Sequence, residues 1–265
     1  MDLTPEEQTG VYARKQLLSR DRLIAWSHGR RFQVALDLAA RVGGSRVLDY
    51  GCGDGSFLAL LRRGLDAPPY AVGVEIAPDL VADCRSRLAH TGVLFMHVDE
   101  LGVPPAAFDT IYCMEVLEHV VDREPVLARL QQMLAPGGHL VVSVPVETGL
   151  PLVVKQMVRT IAGWRGIGDY PGTEPYRWSE WIPSLLAGAR QHIARPVHQD
   201  ASGPPFHDHK GFNWMVLRDD IARRFVLEGV VSSPLSSLPP HLGTQAWFIA
   251  RNDERSLSGT AGGAF

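Results

Sequence analysis

Two carboxylates and an imidazole fall at i, i+3 and i+4 in Glu115-Val116-Leu117-Glu118-His119. On a helical turn such positions share a face, so the spacing predicts converging ligands. A second cluster, His207-Asp208-His209-Lys210, lies between Phe206 and Phe212-Asn213-Trp214. If the chain folds back so that His209 meets Glu118 and His119, two carboxylates and two imidazoles form one site. Mixed oxygen and nitrogen ligands suit Mg²⁺, Mn²⁺, Fe²⁺ or Zn²⁺, and without thiolates they do not select among them. Two other readings stand beside this one. His119 or His209 can serve as a metal-free general base, or the group can be structural, with Glu115 capping a helix or bonding a cofactor. His207 and Lys210 are second candidates for chemistry.

A separate stretch, Arg46-Val47-Leu48-Asp49-Tyr50-Gly51-Cys52-Gly53-Asp54-Gly55-Ser56, predicts a buried strand ending in a tight glycine loop. In open α/β sheets ligands bind at the carboxyl ends of strands, where such a loop exposes bare backbone. A dinucleotide fingerprint is spaced G-x-G-x-x-G, whereas here the glycines alternate and Ser56 takes the third fingerprint position. Asp49 and Asp54 would repel a phosphate and favour a cationic ligand. Val72-Gly73-Val74-Glu75 is a second short strand ending in an acid suited to a ribose diol. A nucleoside with a cationic tail meets both conditions, and S-adenosylmethionine (AdoMet) is the common one.

On these residues the chain resembles the class I AdoMet-dependent methyltransferases. Leu48 to Gly55 looks like the family's glycine loop, Glu75 matches its ribose-binding acid, and Asp99 in His97-Val98-Asp99-Glu100 matches its adenine contact. Leu134-Ala135-Pro136-Gly137-Gly138 looks like the turn before its fifth strand. The resemblance implies a cofactor seat made of Asp49, Gly51, Cys52, Gly53, Glu75, Ile76, Asp99, Glu100 and Met114. The segment Glu115 to His119 further resembles that carrying the metal-binding acids and histidine of quinone-biosynthesis O-methyltransferases. With Asp208-His209-Lys210, Phe212 and Trp214 it is also similar to small-RNA 3′-terminal 2′-O-methyltransferases. There, two glutamates and two histidines hold a divalent metal on the terminal ribose diol. Gly211 interrupts that second motif, and the Ala135-Pro136-Gly137-Gly138 turn is that of small-molecule enzymes, so the likeness supports the metal geometry more than an RNA substrate.

The expectation is therefore an O-methyltransferase acting on a hydroxyl of a small molecule, of quinol, phenol or sugar-like type, with Glu118, His119 and His209 as catalytic candidates. Glu115, Glu118, His119 and His209 form the candidate metal set. The alternatives are an RNA ribose methyltransferase, which needs a basic channel, and a non-catalytic AdoMet-binding module, against which the polar cluster argues.

These residues need a scaffold. Strands are predicted over Arg46–Tyr50, Ala71–Glu75, Leu94–Val98, Thr110–Met114 and His139–Pro145, separated by helices Phe57–Arg63, Asp79–Ala89 and Glu124–Met133. That alternation predicts parallel crossovers and a doubly wound, mostly parallel seven-stranded α/β sheet. Thr4-Pro5-Glu6-Glu7 reads as a helix start, and helical material runs to Val42 with an interruption near Ser27-His28-Gly29. Tyr12 or Trp26 can face substrate from there, though packing is the default. Past Pro145 the alternation fails. A helix is predicted from Leu150 to Gly163, a helix-like piece from Glu180 to Gln191, and loops over 166–178 and 195–209. A last helix, Asn213 to Phe225, and strands Phe225–Val231 and Gln245–Ala250 complete the core, the second strand antiparallel as the resemblance implies. The organisation expected is N-terminal helices and lid (1–42), AdoMet-binding core (43–147), substrate-lid insertion (148–210), the rest of the core (211–251) and a disordered tail (252–265).

The chain has 265 residues, a net charge of −3, 45% hydrophobic and 21% charged residues, ordinary for a globular protein with a real core. No overall basic field advertises nucleic acid. The three cysteines, Cys52, Cys84 and Cys113, suggest neither a disulfide framework nor a zinc site. The polar N-terminus lacks a signal peptide's apolar core, and no apolar run approaches the roughly 18 residues of a spanning helix, so a cytoplasmic protein is expected. Leu150–Arg165 carries Lys155, Arg159, Arg165 and Trp164. It reads as a lid helix, or as one that lies on a membrane surface and delivers a lipid-linked acceptor.

Overall fold

In a computed structural model, which describes residues 4–19, 21–64, 67–102, 105–164, 176, 178–199 and 203–253, the first predicted strand lies in the interior of the sheet, central among its five parallel strands. Strands β1 (Arg46–Tyr50), β2 (Tyr70–Glu75), β3 (Leu94–His97), β4 (Phe108–Met114) and β5 (Leu134–Pro145) run parallel. Two short strands, β6 (Val197–His198) and β7 (Phe206–His207), pair in a separate ribbon. β8 (Val226–Ser233) and β9 (Gln245–Arg251) return to the main sheet, whose order is β3-β2-β1-β4-β5-β9-β8, with β9 antiparallel to both neighbours. This is the seven-stranded, mostly parallel sheet that the alternation of strands and helices predicts.

The helices are α1 (Pro5–Gln8), α2 (Arg22–Val42), α3 (Ser56–Arg62), α4 (Pro78–Arg87), α5 (Arg123–Met133), α6 (Gly149–Trp164), α7 (Trp178–Leu185) and α8 (Trp214–Ala222). Adjacent strand residues send side chains to opposite faces. Leu48, Ile111 and Leu140 join Leu127, Leu130, Leu217 and Ile221 of α5 and α8 on one side. Val47, Tyr112 and Val141 join Val34, Leu38, Phe57 and Cys84 of α2, α3 and α4 on the other. With both faces covered, the central strands are apolar throughout rather than alternating.

Three expectations change. α2 runs unbroken through Ser27-His28-Gly29. A glycine inside a helix costs about 1 kcal/mol, which the burial of Val34, Ala35, Leu38 and Ala39 outweighs. Its start is fixed by Asp21, whose Oδ1 accepts from the Leu23 and Ile24 N–H groups. Past residue 178 helix persists only over Trp178–Leu185, not to Gln191, and Gly188 follows soon after. The irregular stretch Ala135–Gly138 falls inside β5, as a break in its pairing with β4 between Phe108 and Thr110. Among the described residues no helix is long and apolar enough to cross a membrane. Residues 165–175 and 254–265, including most of the loop predicted over 166–178 and nearly all of the expected tail, lie outside the described residues.

Candidate active site

At the end of β1 the backbone enters left-handed conformations at Gly51 (φ 82°) and Gly53 (φ 56°), open to glycine without strain. A Cβ on Gly51 would stand 2.3 Å from Val116 Cγ2, and one on Gly53 would stand 3.0 Å from the Tyr12 ring. The loop is held from β2: the Gly51 and Cys52 N–H groups donate to the Val74 carbonyl, and Gly53 N–H donates to Glu75 Oε2 at 2.9 Å. Glu75 Oε1 accepts from Ile76 and Ala77. Three backbone donors thus fix the carboxylate expected to meet the ribose. Asp49 is buried, its Oδ1 has no hydrogen-bond partner among the described residues, and burial, then the Glu75 charge, pushes its pKa up to about 8. An orphaned buried carboxyl beside bare main chain fits a cationic nucleoside.

Asp54 departs from its expected role. Its Oδ2 accepts from the Tyr12 and Ala13 N–H groups at 2.8 Å each, and Oδ1 accepts from Ser56. It therefore pins the N-terminal segment to the glycine loop instead of facing a ligand. Ile76 is half-exposed and the Asp99 side chain is exposed, at the ends of β2 and β3. His97 joins them: its Nε2 contacts the Ile76 carbonyl at 2.9 Å, and its Nδ1 accepts from Asp99 N–H. Glu100 pairs with Arg85, Met114 packs at the end of β4, and Cys52 is buried near the loop with Cys84, both sulfurs close to the Gly53 carbonyl.

The turn after β4 touches the glycine loop through Val116. It is not a helix. Glu115 is left-handed (φ 58°), and only His119 N–H to the Val116 carbonyl closes a turn. The i, i+3, i+4 face therefore does not form, because it requires helical φ at all three positions. Glu115 turns aside: Oε1 accepts from Ser143 Oγ at 3.0 Å, and Oε2 is 3.7 Å from Arg31 Nη1.

Glu118, His119 and His209 do come together, with one ligand atom from each lying within 4.8 Å of the others. The second predicted cluster reaches the turn through a bridge between Val120 and Phe206 and through His207 N–H donating to the His119 carbonyl. His119 and His209 meet edge to face at 4.7 Å. Glu118 is fully buried and neither oxygen has a hydrogen-bond partner among the described residues. His119 Nε2, at 3.9 Å from Oε1, is beyond hydrogen-bond reach. Burial, with Glu115 second, holds the Glu118 pKa well above the carboxylate range. His209 Nδ1 is likewise buried and unpartnered. Burial, with His119 second, brings the His209 pKa down to about 4, so the ring is neutral. One orphaned carboxyl and two imidazoles are a donor set that fits a divalent cation.

The second-choice residues lie apart. His207 Nδ1 bonds the Pro196 carbonyl, Lys210 Nζ bonds Glu180, and Asp208 stands 3.5 Å from His198. Sequence reasoning passed over Arg31, Arg195 and the Glu147–Lys155 pair (2.9 Å), whose charges act on His209 in opposite directions. Arg31 lies in the helical stretch predicted to run to Val42, and Lys155 on the helix predicted from Leu150, but nothing in the sequence tied either to this site.

A family profile described as a methyltransferase domain matches residues 25–195. A ubiquinone biosynthesis O-methyltransferase of Xylella fastidiosa is 36% identical over 199 residues, 71% of this chain and 76% of that one. An uncharacterized methyltransferase of Mycobacterium tuberculosis is 28% identical over 173 residues, 63% of this chain and 85% of that one. Among solved structures, the PH0226 protein from Pyrococcus horikoshii has a TM-score of 0.56 at 15% identity, covering 92% of this chain and 97% of its own. The methyltransferase domain of a bacterial CtHen1 has 0.54 at 12% identity, covering 85% and 99%. At those identities the two structures share the fold alone. Sheet order, glycine loop, orphaned Asp49 and family match lead to one conclusion: the chain belongs to the class I AdoMet-dependent methyltransferases.

Proposed function

We propose that this methyltransferase transfers the methyl group of AdoMet to a hydroxyl oxygen of a small molecule, of quinol, phenol or sugar-like type, at a site where Glu118, His119 and His209 hold a divalent cation. The observation that carries this reading is the buried, unpartnered Glu118 carboxyl facing two imidazoles on a turn that touches the cofactor loop. The relative in Xylella fastidiosa, named as a ubiquinone biosynthesis O-methyltransferase, supports the class of acceptor. A net charge of −3 does not favour an RNA substrate.

AdoMet supplies an electrophilic methyl group on a sulfonium. Asp49 and Glu75 place anionic character beside the loop on which that cation is seated. A divalent cation, when bound, makes an attached hydroxyl easier to deprotonate. His119 presents Nε2 to that position, because its Nδ1–H is engaged by the His207 carbonyl. His209 stays neutral there, and Glu118, which burial keeps protonated until then, would contribute the negative charge once a cation is bound. Arg31, 3.7 Å from Glu115, keeps positive charge near both that carboxyl and Glu118. Holding the acceptor oxygen in line with the methyl carbon supplies much of the rate. In the metal-free reading burial leaves His209, with a pKa of about 4, a weak base. The base would then be Nε2 of His119, whose Nδ1 is engaged by the His207 carbonyl.

The same reading extends to where the acceptor is met. Leu150, Val154 and Met157 of α6, and Trp178, Ile182 and Leu186 on and just past α7, are exposed on two helices that pack together beside the site. Their spacing makes one apolar stripe on each helix, which supports contact with a membrane surface. Of the residues that suggested this from sequence, the side chains of Arg159 and Trp164 and all of residue 165 lie outside the described residues.

Dialysis against EDTA tests the central reading. Methyl transfer to a catechol should cease and return with Mg²⁺ or Mn²⁺, and Glu118→Ala should not recover. Full turnover after chelation would leave only the general-base reading.

A further inference from the structure

The two segments that make the acceptor site are far apart in sequence, and neither is held by regular structure. The turn carrying Glu118 and His119 follows β4, and His209 sits in the loop after β7. Besides the Val120–Phe206 bridge and the bonds between His119 and His207, one further side chain spans both. Arg195, just before β6, donates from Nη2 to the Glu118 carbonyl at 2.6 Å and to the Asp208 carbonyl. Its Nε donates to the Lys210 carbonyl at 3.1 Å. The guanidinium lies 5.2 Å over the Phe212 ring. It therefore bonds the backbone of one candidate ligand and of both neighbours of another. A planar fork with five fixed donors can do this, and a lysine ammonium cannot match it.

The fit is close. Gly211 has φ 67°, and a Cβ there would stand 2.9 Å from Ile193 Cγ2 and 3.3 Å from Arg195 Cγ. The glycine that interrupts the second motif thus lets the loop close on the arginine stem. Arg195 Nη1 is buried without a hydrogen-bond partner among the described residues, so this cation has been taken out of water near the orphaned Glu118 carboxyl. A buried guanidinium with carbonyl partners but no carboxylate bond is costly unless its charge serves another group.

We propose that Arg195 is a positioning residue that clasps the His209 loop to the Glu118–His119 turn and so sets the geometry of the acceptor-side ligands. This inference rests on the reading of Glu118, His119 and His209 as ligands of one cation. Partners of this kind orient ligands, and their removal typically weakens metal binding about 10- to 100-fold.

Co²⁺ titration of the full chain, followed by visible absorption, tests it with Arg195→Gln and Arg195→Lys. Wild-type protein should give the bands of a mixed nitrogen and oxygen site. Arg195→Gln should bind Co²⁺ roughly 10- to 100-fold more weakly and with altered bands, while AdoMet affinity stays unchanged. Arg195→Lys, which keeps the charge but not the fork, should fall between the two. If Arg195→Gln does not fold, Arg195→Lys decides: weaker binding with altered bands supports the clasp, and wild-type affinity and bands overturn it. Wild-type uptake matched by both variants overturns the role of Arg195 alone. No Co²⁺ uptake by wild-type protein removes the cation reading beneath it, and the clasp with it.

Discussion

His119 Nδ1 lies 2.8 Å from the backbone carbonyl of His207. A carbonyl only accepts, so Nδ1 carries a proton, and the other ring nitrogen, Nε2, lies 3.9 Å from Glu118 Oε1. A cation between them would take a nitrogen of His119 and, displacing the proton that burial keeps on Glu118, an oxygen of its carboxylate. A backbone carbonyl on the far nitrogen is the usual way a ligating imidazole is oriented. The proposed cation site rests on this one relationship.

AdoMet binding should release a proton. With its pKa at about 8, Asp49 is mostly protonated at pH 7 before the ligand arrives, and a bound cation favours the carboxylate. Calorimetry in phosphate and in Tris should give observed enthalpies that differ by about one proton's worth of buffer ionisation. Asp49→Asn should abolish the difference and weaken binding by about 1.5–3 kcal/mol. Equal enthalpies in the two buffers would refute the assignment.

Gly51→Ala should damage both halves of the site at once. The new Cβ meets Val116 Cγ2 at 2.3 Å in a left-handed backbone, and the conformation alone costs about 1–2 kcal/mol. AdoMet affinity should fall at least about tenfold, and Val116→Ala in the same chain should restore part of it by relieving the overlap. Wild-type affinity in Gly51→Ala would show that the close approach is not required.

Much of this was legible in the sequence where the signal is local. The β1 to β5 strands were readable because apolar runs, glycines and helix starts recur at short range, and the Asp49 to Gly55 loop because glycine spacing reports backbone shape. Glu115 was misplaced because spacing assumes helical φ, and a single left-handed residue redirects it. Asp54 was misread because its partners are backbone groups of Tyr12 and Ala13, about forty residues upstream with no side-chain signature. The meeting of His209 with Glu118 was readable only as a condition on how the insertion folds. Arg195 left no trace, since its bonds go to main-chain carbonyls that any residue offers.

Acid should act on the two buried histidines in a defined window. Burial, then the Arg31 charge, brings the His28 pKa from 6.5 to about 3, and His209 falls to about 4. Between those values and 6.5 each of these rings binds a proton in the unfolded chain and not in the folded one, so their contribution to stability is lost as pH falls. Asp49 and Glu118 contribute the opposite way, since their raised pKa values keep protons on the folded chain. From pH 6.5 to pH 4 the urea midpoint of the wild-type protein should therefore fall relative to that of His28→Gln. Parallel pH profiles of the two would mean that His28 is not held neutral.

The exposed stripes on α6 and α7 predict co-flotation with vesicles containing phosphatidylglycerol at low salt, weakened at high salt. Met157→Glu with Ile182→Glu should abolish it while AdoMet binding persists. No flotation of the wild-type protein, or a dimer that the two substitutions dissociate, would assign the apolar face elsewhere.

The most direct measurement is anomalous diffraction from crystals grown with S-adenosylhomocysteine and Mn²⁺. A single peak is predicted about 2.0–2.3 Å from a Glu118 oxygen, His119 Nε2 and a His209 nitrogen, beside a nucleoside seated on Gly51 and Gly53. A fully occupied nucleoside with no anomalous density among those three side chains at saturating Mn²⁺ would contradict the account.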